Sequence, residues 1–227
     1  MTLVLVSGGL DSAVLLAYEA QRGRSHPLYV STGMAWEASE LRMLEHLLAS
    51  PLFRQGTAPL CRVAISMRDV YPESHWALRG LAPAADTTDE QVFLEGRNLV
   101  LLTKAAVLAA QRRLSAISLG LLRGNPFPDA RPSFLHAIGQ AISIGLDHQL
   151  EVRAPFANLS KQEVVALGNS LGVPLDRTLS CMQPSLSSST RRALPVACGA
   201  CSKCRERSAA FAAAGAVDDA VLALDPD

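Results

Sequence analysis

Short apolar runs alternate with amphipathic stretches along the first half of the chain. Leu3–Val6 is a continuous apolar run that ends at a Gly pair, the pattern of a strand buried on both faces. Asp11–Gln21 follows with Val14, Leu15 and Tyr18 on one side, the spacing of a helix. The alternation continues through a strand at Pro27–Ser31, a helix at Glu37–Leu48 and a strand at Arg62–Ile65. An apolar helix at Asn98–Gln111 and a strand at Ala116–Leu119 complete it. Strands alternating with helices predict an α/β fold, a parallel sheet with helices on both faces.

Two segments interrupt this rhythm. Met67–Glu95 carries prolines and acidic residues and reads as an irregular loop or lid. Leu121–Pro132 holds Gly124, Pro126, Pro128 and Pro132, so it reads as a rigid connection rather than a helix. Helices are expected again at Ser133–Ile144 and Lys161–Leu171, the latter opened by Ser160 and Glu163 in capping-box spacing. An Ala-rich helix is expected at about Arg205–Ala214. The chain therefore divides into an α/β domain at 1–175 and a C-terminal segment at 176–227 packed on it.

Composition narrows the function classes. The 227 residues are 49% hydrophobic and 19% charged, which suits a folded domain with an aliphatic core. The 21 basic and 21 acidic side chains cancel, so no global field draws nucleic acid or an anionic membrane. Thr2–Val6 is too short for a signal-peptide core, and no apolar stretch reaches the length of a membrane span. Cys61 stands alone in a strand as a small core residue, whereas Cys181, Cys198, Cys201 and Cys204 cluster near the end. Without an export signal such clustering favours metal ligands over disulfides, and a cytoplasmic location is expected.

Ser7-Gly8-Gly9-Leu10-Asp11-Ser12 lies between the first strand and the first helix. Two glycines let the backbone approach an anion, and the new helix offers unpaired N–H groups at its positive end. Ser7 and Ser12 add hydroxyls, and Asp11 suits Mg²⁺ rather than phosphate itself. The competing reading is an ordinary strand-to-helix turn capped by Ser. The hexapeptide resembles the PP-loop of the N-type ATP pyrophosphatases, which implies ATP cleavage to AMP and pyrophosphate through an adenylated intermediate.

Cys198, Cys201 and Cys204 are spaced by two residues each, and Cys181 lies 17 positions upstream across a Ser-rich insert. Four thiolates satisfy tetrahedral Zn²⁺ with no open position, which makes the metal structural. An iron–sulfur cluster is the rival, since the same spacing occurs in ferredoxin-type sites.

Further segments join these two in a fixed order. They are Gly96-Arg97-Asn98 at a helix start, Pro128-Asp129-Ala130-Arg131-Pro132, Leu159–Val165, Leu171–Leu175 and Thr178-Leu179-Ser180-Cys181. Taken together the chain resembles the 7-cyano-7-deazaguanine synthase (QueC) family. That resemblance implies conversion of 7-carboxy-7-deazaguanine to the nitrile by way of the amide, using ATP and ammonia. Carried over, Ser7, Gly8, Gly9, Leu10, Asp11 and Ser12 bind ATP, and Asp11, Arg97 and Lys161 are catalytic. Asn98, Asp129 and Arg131 bind the substrate. Each of the latter residues also has a plainer reading: Arg97 as a salt bridge to Glu95 or Asp89, Lys161 as a solvated first-turn lysine, and Asp129–Arg131 as a pair bracing their loop. Expected ligands are ATP, Mg²⁺, Zn²⁺, a deazaguanine carboxylate and an amine donor, with a homodimer as the expected assembly.

The chain departs from the family pattern at three places. Thr32-Gly33-Met34-Ala35-Trp36 replaces Tyr-Gly-Gln-Arg/Lys-His, although Gly33 and the later Glu40 fit. Ala130 replaces a Cys and Leu179 a Trp. These exchanges keep open a paralogue that stops at the amide or joins the base to another amine, such as a protein in antiviral defence. A PP-loop tRNA-modifying enzyme is the other alternative, disfavoured by the neutral charge.

Overall fold

The computed structural model describes residues 1–84, 86–186 and 194–222, without the side chains of residues 89, 90, 186, 221 and 222. The expected looping of the Ser-rich insert falls at 187–193, outside the described residues. Five parallel strands form the central sheet: β1 (Thr2–Leu5), β2 (Ser25–Ser31), β3 (Cys61–Ala64), β4 (Ala116–Ser118) and β5 (Glu151–Arg153), in the order β3-β2-β1-β4-β5. The order reverses between β1 and β4, both fully buried at the centre.

The helices are α1 (Leu10–Ala20), α2 (Glu37–Leu48), α3 (Pro51–Gly56), α4 (Trp76–Arg79), α5 (Arg97–Gln111), α6 (Pro132–Gly145), α7 (Lys161–Ser170), α8 (Ser202–Ala213) and α9 (Asp219–Leu222). Because side chains alternate along a strand, β1 feeds two cores. Val4 and Val6 pack with Tyr29 of β2 against α1, α7 and α8, through Val14, Val164 and Phe211 among others. Leu3 and Leu5 pack with Leu28 and Val30 against α5 and α6, through Leu102 and Ile138. Helices on both faces of a parallel sheet are what the alternation predicts. Among the described residues no helix is long and apolar enough to cross a membrane.

The amphipathic helices fall where periodicity places them, to within a residue or two at their ends. At the α7 start the capping box is present, with the Ser160 hydroxyl accepting from Glu163 N–H and the Glu163 carboxylate taking the Ser160 N–H. Several short elements are additional. The α3 helix starts with Pro51 at its first position and lasts six residues, too few for a periodic signal. The β5 strand is a three-residue edge with only Val152 turned inward. The 67–95 stretch contains α4 and a 3-10 turn at Asp89–Val92. It is packed through Met67, Tyr71, Ala77 and Leu94 onto Met34 and Trp36.

One buried cation ties α8 to the chain before and after it. Arg207 of α8 is 4% exposed and donates to both Asp218 oxygens, at 2.6 and 2.8 Å. It also donates to the Thr178 hydroxyl at 2.7 Å and the Leu175 carbonyl at 2.9 Å. Removing one member of such a pair strands the other in low dielectric, which typically costs about 3–5 kcal/mol. Arg207→Ala is expected to lower the denaturant midpoint by an amount of that order. Asp218→Ala should do the same, and the double variant should lose clearly less than the sum.

Candidate active site

Beyond Val6 the chain enters Ser7-Gly8-Gly9 at the carboxyl end of β1. Gly8 has φ +77, and a Cβ there would stand 2.8 Å from the Glu40 carbonyl oxygen and 3.2 Å from Leu44 N. The loop therefore presses on the α2 backbone in a conformation that admits only glycine. It also braces itself. Ser7 N–H donates to the Ser12 hydroxyl at 3.1 Å, which donates to the Gly9 carbonyl at 3.0 Å, and Gly9 N–H donates to the Ser7 hydroxyl at 3.3 Å. Gly9 is the N-cap of α1 and provides no side-chain cap. The first-turn N–H groups of Leu10, Asp11 and Ser12 thus face outward as a cradle for an anion.

Asp11 meets Lys161, the first residue of α7, with Oδ2 2.5 Å from Nζ. The Lys161 side chain is 14% exposed, so it is no solvated first-turn lysine. Glu206 of α8 lies 4.0 Å from the same Nζ and 2.9 Å from Lys203. Asp11 Oδ1 is buried and has no hydrogen-bond partner among the described residues. A buried carboxylate oxygen without a donor is costly unless a cation takes it. With Oδ2 on Lys161, Oδ1 is left as a carboxylate oxygen of the kind that could ligate Mg²⁺, which binds proteins through one or two carboxylates plus phosphate oxygens.

These residues line a cavity of about 480 Å³ at the carboxyl ends of β1 and β4, where the strand order reverses. Its far end holds Glu40, Arg97 and two stacked aromatic pairs. Trp36 and Trp76 lie 5.5 Å apart between centroids at 21°, and Phe93 and Phe127 lie 4.8 Å apart at 20°. Flat apolar walls of this kind suit a planar heterocycle. The Glu40 carboxylate accepts the Tyr29 hydroxyl at 2.9 Å. Burial pushes the Glu40 carboxyl up to about 7, against the opposing pull of the Arg97 charge and the Tyr29 and Trp36 donors.

Arg97 opens α5, and its Nε is buried with no partner among the described residues. No ion pair joins it to Glu95 there, and the Asp89 side chain is outside the described set. Asn98 lies next to it with its amide committed: Nδ2 donates to the Asp129 carbonyl and Oδ1, both at 3.2 Å, and Asn98 N–H donates to Oδ2 at 2.9 Å. Asp129, 7% exposed, thus caps α5 from across the fold. Arg131 is exposed and does not line the cavity, so the structure does not bring it to the other site residues.

The four clustered cysteines converge, with all four Sγ atoms within 4.8 Å of one another. Cys201 and Cys204 are 3.5 Å apart, and Cys198 and Cys204 are 3.9 Å apart. Tetrahedral Zn²⁺ with bonds of about 2.3 Å requires sulfur separations of about 3.8 Å. Backbone N–H groups of Gln183 and Cys198 point at Cys181 Sγ, each at 3.3 Å, as they would at a thiolate ligand. Sharing a hydrogen bond with Cys201 pushes the Cys181 thiol up to about 12, while the Cys201 thiol is driven down. Only a cation lets all four ionise together. The donor set therefore fits structural zinc. Leu179, Ser180 and Cys181 line the cavity, and Leu179 N–H donates to the Gly8 carbonyl at 2.9 Å.

A family model for the queuosine biosynthesis protein QueC matches residues 1–215. The chain belongs to the QueC family. A 7-cyano-7-deazaguanine synthase of Anaeromyxobacter dehalogenans is 32% identical, with 95% of this chain and 93% of that one covered. One of Methanopyrus kandleri is 31% identical, with 96% of each chain covered. Among solved structures, a predicted subunit of tRNA methyltransferase from Methanocaldococcus jannaschii aligns with a TM-score of 0.47 at 17% identity, over 74% of this chain and 73% of that one.

Within this QueC-family chain the departures fall unevenly about the cavity. Trp36 and Leu179 line it, whereas Thr32 is buried behind it and Ala130 is outside it. The Glu37 carboxylate fills the space near Thr32, taking Thr32 N–H at 2.6 Å, the Thr32 hydroxyl at 3.1 Å and Gly33 N–H at 3.0 Å. Sequence reading did not assign Glu40, Tyr29, Trp76, Phe93, Phe127 or Glu206 to the site. For Glu40 a signal exists: Met43, Leu44 and Leu47 mark the inner face of α2, and Glu40 shares it by three- and four-residue spacing.

Cys201→Ser is expected to lower bound zinc and thermal stability together, because metal binding supplies folding free energy of order 10 kcal/mol in small sites. Elemental analysis and thermal unfolding of both proteins check this. Iron, or less than half an equivalent of zinc in the parent protein, would count against it.

Proposed function

We propose that the protein uses ATP to adenylate the carboxylate of 7-carboxy-7-deazaguanine for attack by ammonia, giving the amide and then 7-cyano-7-deazaguanine. The observation that carries this reading is the phosphate-loop geometry: a self-braced Gly-Gly turn, a free helix N-terminus, and Asp11 with one buried oxygen lacking a partner. The N–H groups of Leu10, Asp11 and Ser12 hold phosphate oxygens. Mg²⁺ on Asp11 Oδ1 would screen the charge that builds on the departing pyrophosphate. Lys161 stands beside it and exchanges part of its bond to Asp11 for the same developing charge. Arg97 lines the cavity, its buried Nε unpaired among the described residues, and its guanidinium orients the substrate carboxylate toward the α-phosphorus. Asn98 and Asp129 act on one another and so position Arg97 rather than read the base.

One specific observation favours a second reading of the later steps. Trp36 lines the cavity where the family pattern has His, so the groups around the acceptor differ from the pattern. Mass analysis of the product separates the nitrile from an arrested amide or a conjugate with another amine.

Asp11→Asn is expected to slow substrate-dependent pyrophosphate release from Mg·ATP by about 10²–10³-fold, the usual loss for one electrostatic stabiliser. Stability should change by only about 1 kcal/mol, since Asn keeps an oxygen for Lys161 and Glu206 remains beside it. Near-parental release by a folded variant would refute the assignment.

A further inference from the structure

Among the described residues four carboxylates line the cavity, and three are already accounted for. Asp11 holds Lys161, Asp129 caps α5 through Asn98, and Glu206 lies between Lys161 and Lys203. The fourth, Glu40, is held by neutral donors, the Tyr29 hydroxyl and the Trp36 indole. Its own backbone carbonyl touches the phosphate loop at Gly8, and its side chain opens onto the cavity beside Arg97. A carboxyl group held by Arg97 and activated at the loop would lie in the cavity that the Glu40 side chain also lines. Adenylation itself has no use for a proton acceptor there, because the attacking carboxylate carries no proton. The next step does. An attacking amine becomes an ammonium as its bond to carbon forms, and it must shed a proton before the tetrahedral adduct can collapse forward.

Building on the adenylation reading, we propose that Glu40 is the catalytic base of the second half-reaction, taking the proton of a primary amine or ammonia as it attacks the acyl adenylate. The nitrogen–carbon bond forms and the carbon–oxygen bond to AMP breaks. AMP leaves with the bonding electron pair, and the amine proton passes to the Glu40 carboxylate and then to water. The surroundings tune this role. The charged and titratable groups around the Glu40 carboxyl are Tyr29 on β2, Glu37 on its own helix and Arg97 on α5. Burial and Glu37 weaken the acid, while Arg97 and the hydrogen bonds strengthen it. The balance leaves the carboxyl titrating at about 7, where a base is both ionised and able to hold a proton. An acid serving only as a brace for α2 has no need of that balance or of access to the cavity.

The test uses Glu40→Gln, which keeps the backbone carbonyl against Gly8 and the shape of the side chain. Three reactions are followed with 7-carboxy-7-deazaguanine and Mg·ATP: ATP–pyrophosphate exchange, hydroxamate formation with hydroxylamine, and amide formation with ammonia or methylamine. Hydroxylamine is a strong nucleophile that is unprotonated at neutral pH and depends little on a base. We expect Glu40→Gln to keep exchange and hydroxamate formation, and to lose amide formation by about 10²–10⁴-fold, the usual contribution of a positioned base. At a constant concentration of unprotonated amine, the parental amide rate should rise with pH through about 7, and this limb should vanish in the variant. Tyr29→Phe removes a donor that favours the ionised carboxylate, so the limb should move to higher pH. That second variant decides the matter should Glu40→Gln not fold. Parental-like amide formation by Glu40→Gln, a limb unmoved by Tyr29→Phe, or parallel loss of all three reactions would overturn the proposal. Absence of exchange in the parent protein would instead overturn adenylation, and the proposal with it.

Discussion

The reversal of strand order between β1 and β4 governs the rest of the molecule. The chain leaves β1 for α1 on one face of the sheet and leaves β4 toward α6 on the other, so a crevice opens between the two strand ends. Its walls must be close and its backbone exposed, and glycine meets both demands. Gly8 lies flat against α2, and at Gly120 a Cβ would stand 3.4 Å from the Asp11 backbone. A side chain at Gly8 would clash with the α2 backbone and push the loop out of line, whereas one at Gly120 would rest in ordinary contact with Asp11. The phosphate cradle is thus a consequence of topology, and the residues around it need only supply charge.

That charge comes from elements remote in the chain, and the cysteine segment helps hold them in register. Ser180 gives its carbonyl to the Cys204 sulfur at 3.6 Å, and the adjacent Leu179 N–H holds the Gly8 carbonyl. Cys204 also lies in α8, two residues before the Glu206 that faces Lys161. A metal held at the four sulfurs would therefore tie two walls of the cavity together, with all four of its positions filled by protein. Arg207 repeats the arrangement one residue later by binding α8 to the Leu175–Thr178 backbone. The cysteine cluster and a buried cation thus act on the same short segment.

The sequence was legible where the signal is local. Helices α1, α2, α5 and α7 carry 3.6-residue periodicity over ten or more residues, and the phosphate loop and Cys198–Cys204 are contiguous. The β5 strand and α3 were not legible because three to six residues give too little pattern to separate from a loop. The same holds for α4, whose Trp76 gains its meaning only by stacking on Trp36 from a distant segment. Glu40 is the instructive case. Its spacing marked it as facing inward, but that it meets Tyr29, Arg97 and a cavity depends on the pairing of β2 beside β1 and on where α5 docks. Arg131 fails in the opposite direction, since a proline on either side of its turn fixes the backbone without deciding which way the side chain faces.

Arg97 and Lys161 share an unusual placement: each is the first residue of its helix, where the peptide dipoles repel a cation. Lys161 relieves the repulsion through Asp11, whereas the buried Arg97 Nε has no partner among the described residues. A carboxylate beside Arg97 would meet a charge already positioned and incompletely paired, whereas a triphosphate at the α1 start would share Lys161 with Asp11 and Glu206. At Arg97 the interaction gained on binding is then larger than at a well-paired surface cation, and in the proposed reaction it falls on the carboxylate to be activated. Aligning the carboxylate and the triphosphate costs little further motion, because α5 and α7 are anchored by the Asp129 cap and the Ser160–Glu163 box before any ligand arrives. The unfavourable helix starts and the favourable caps are thus complementary: the caps hold in place the charges that the dipoles oppose.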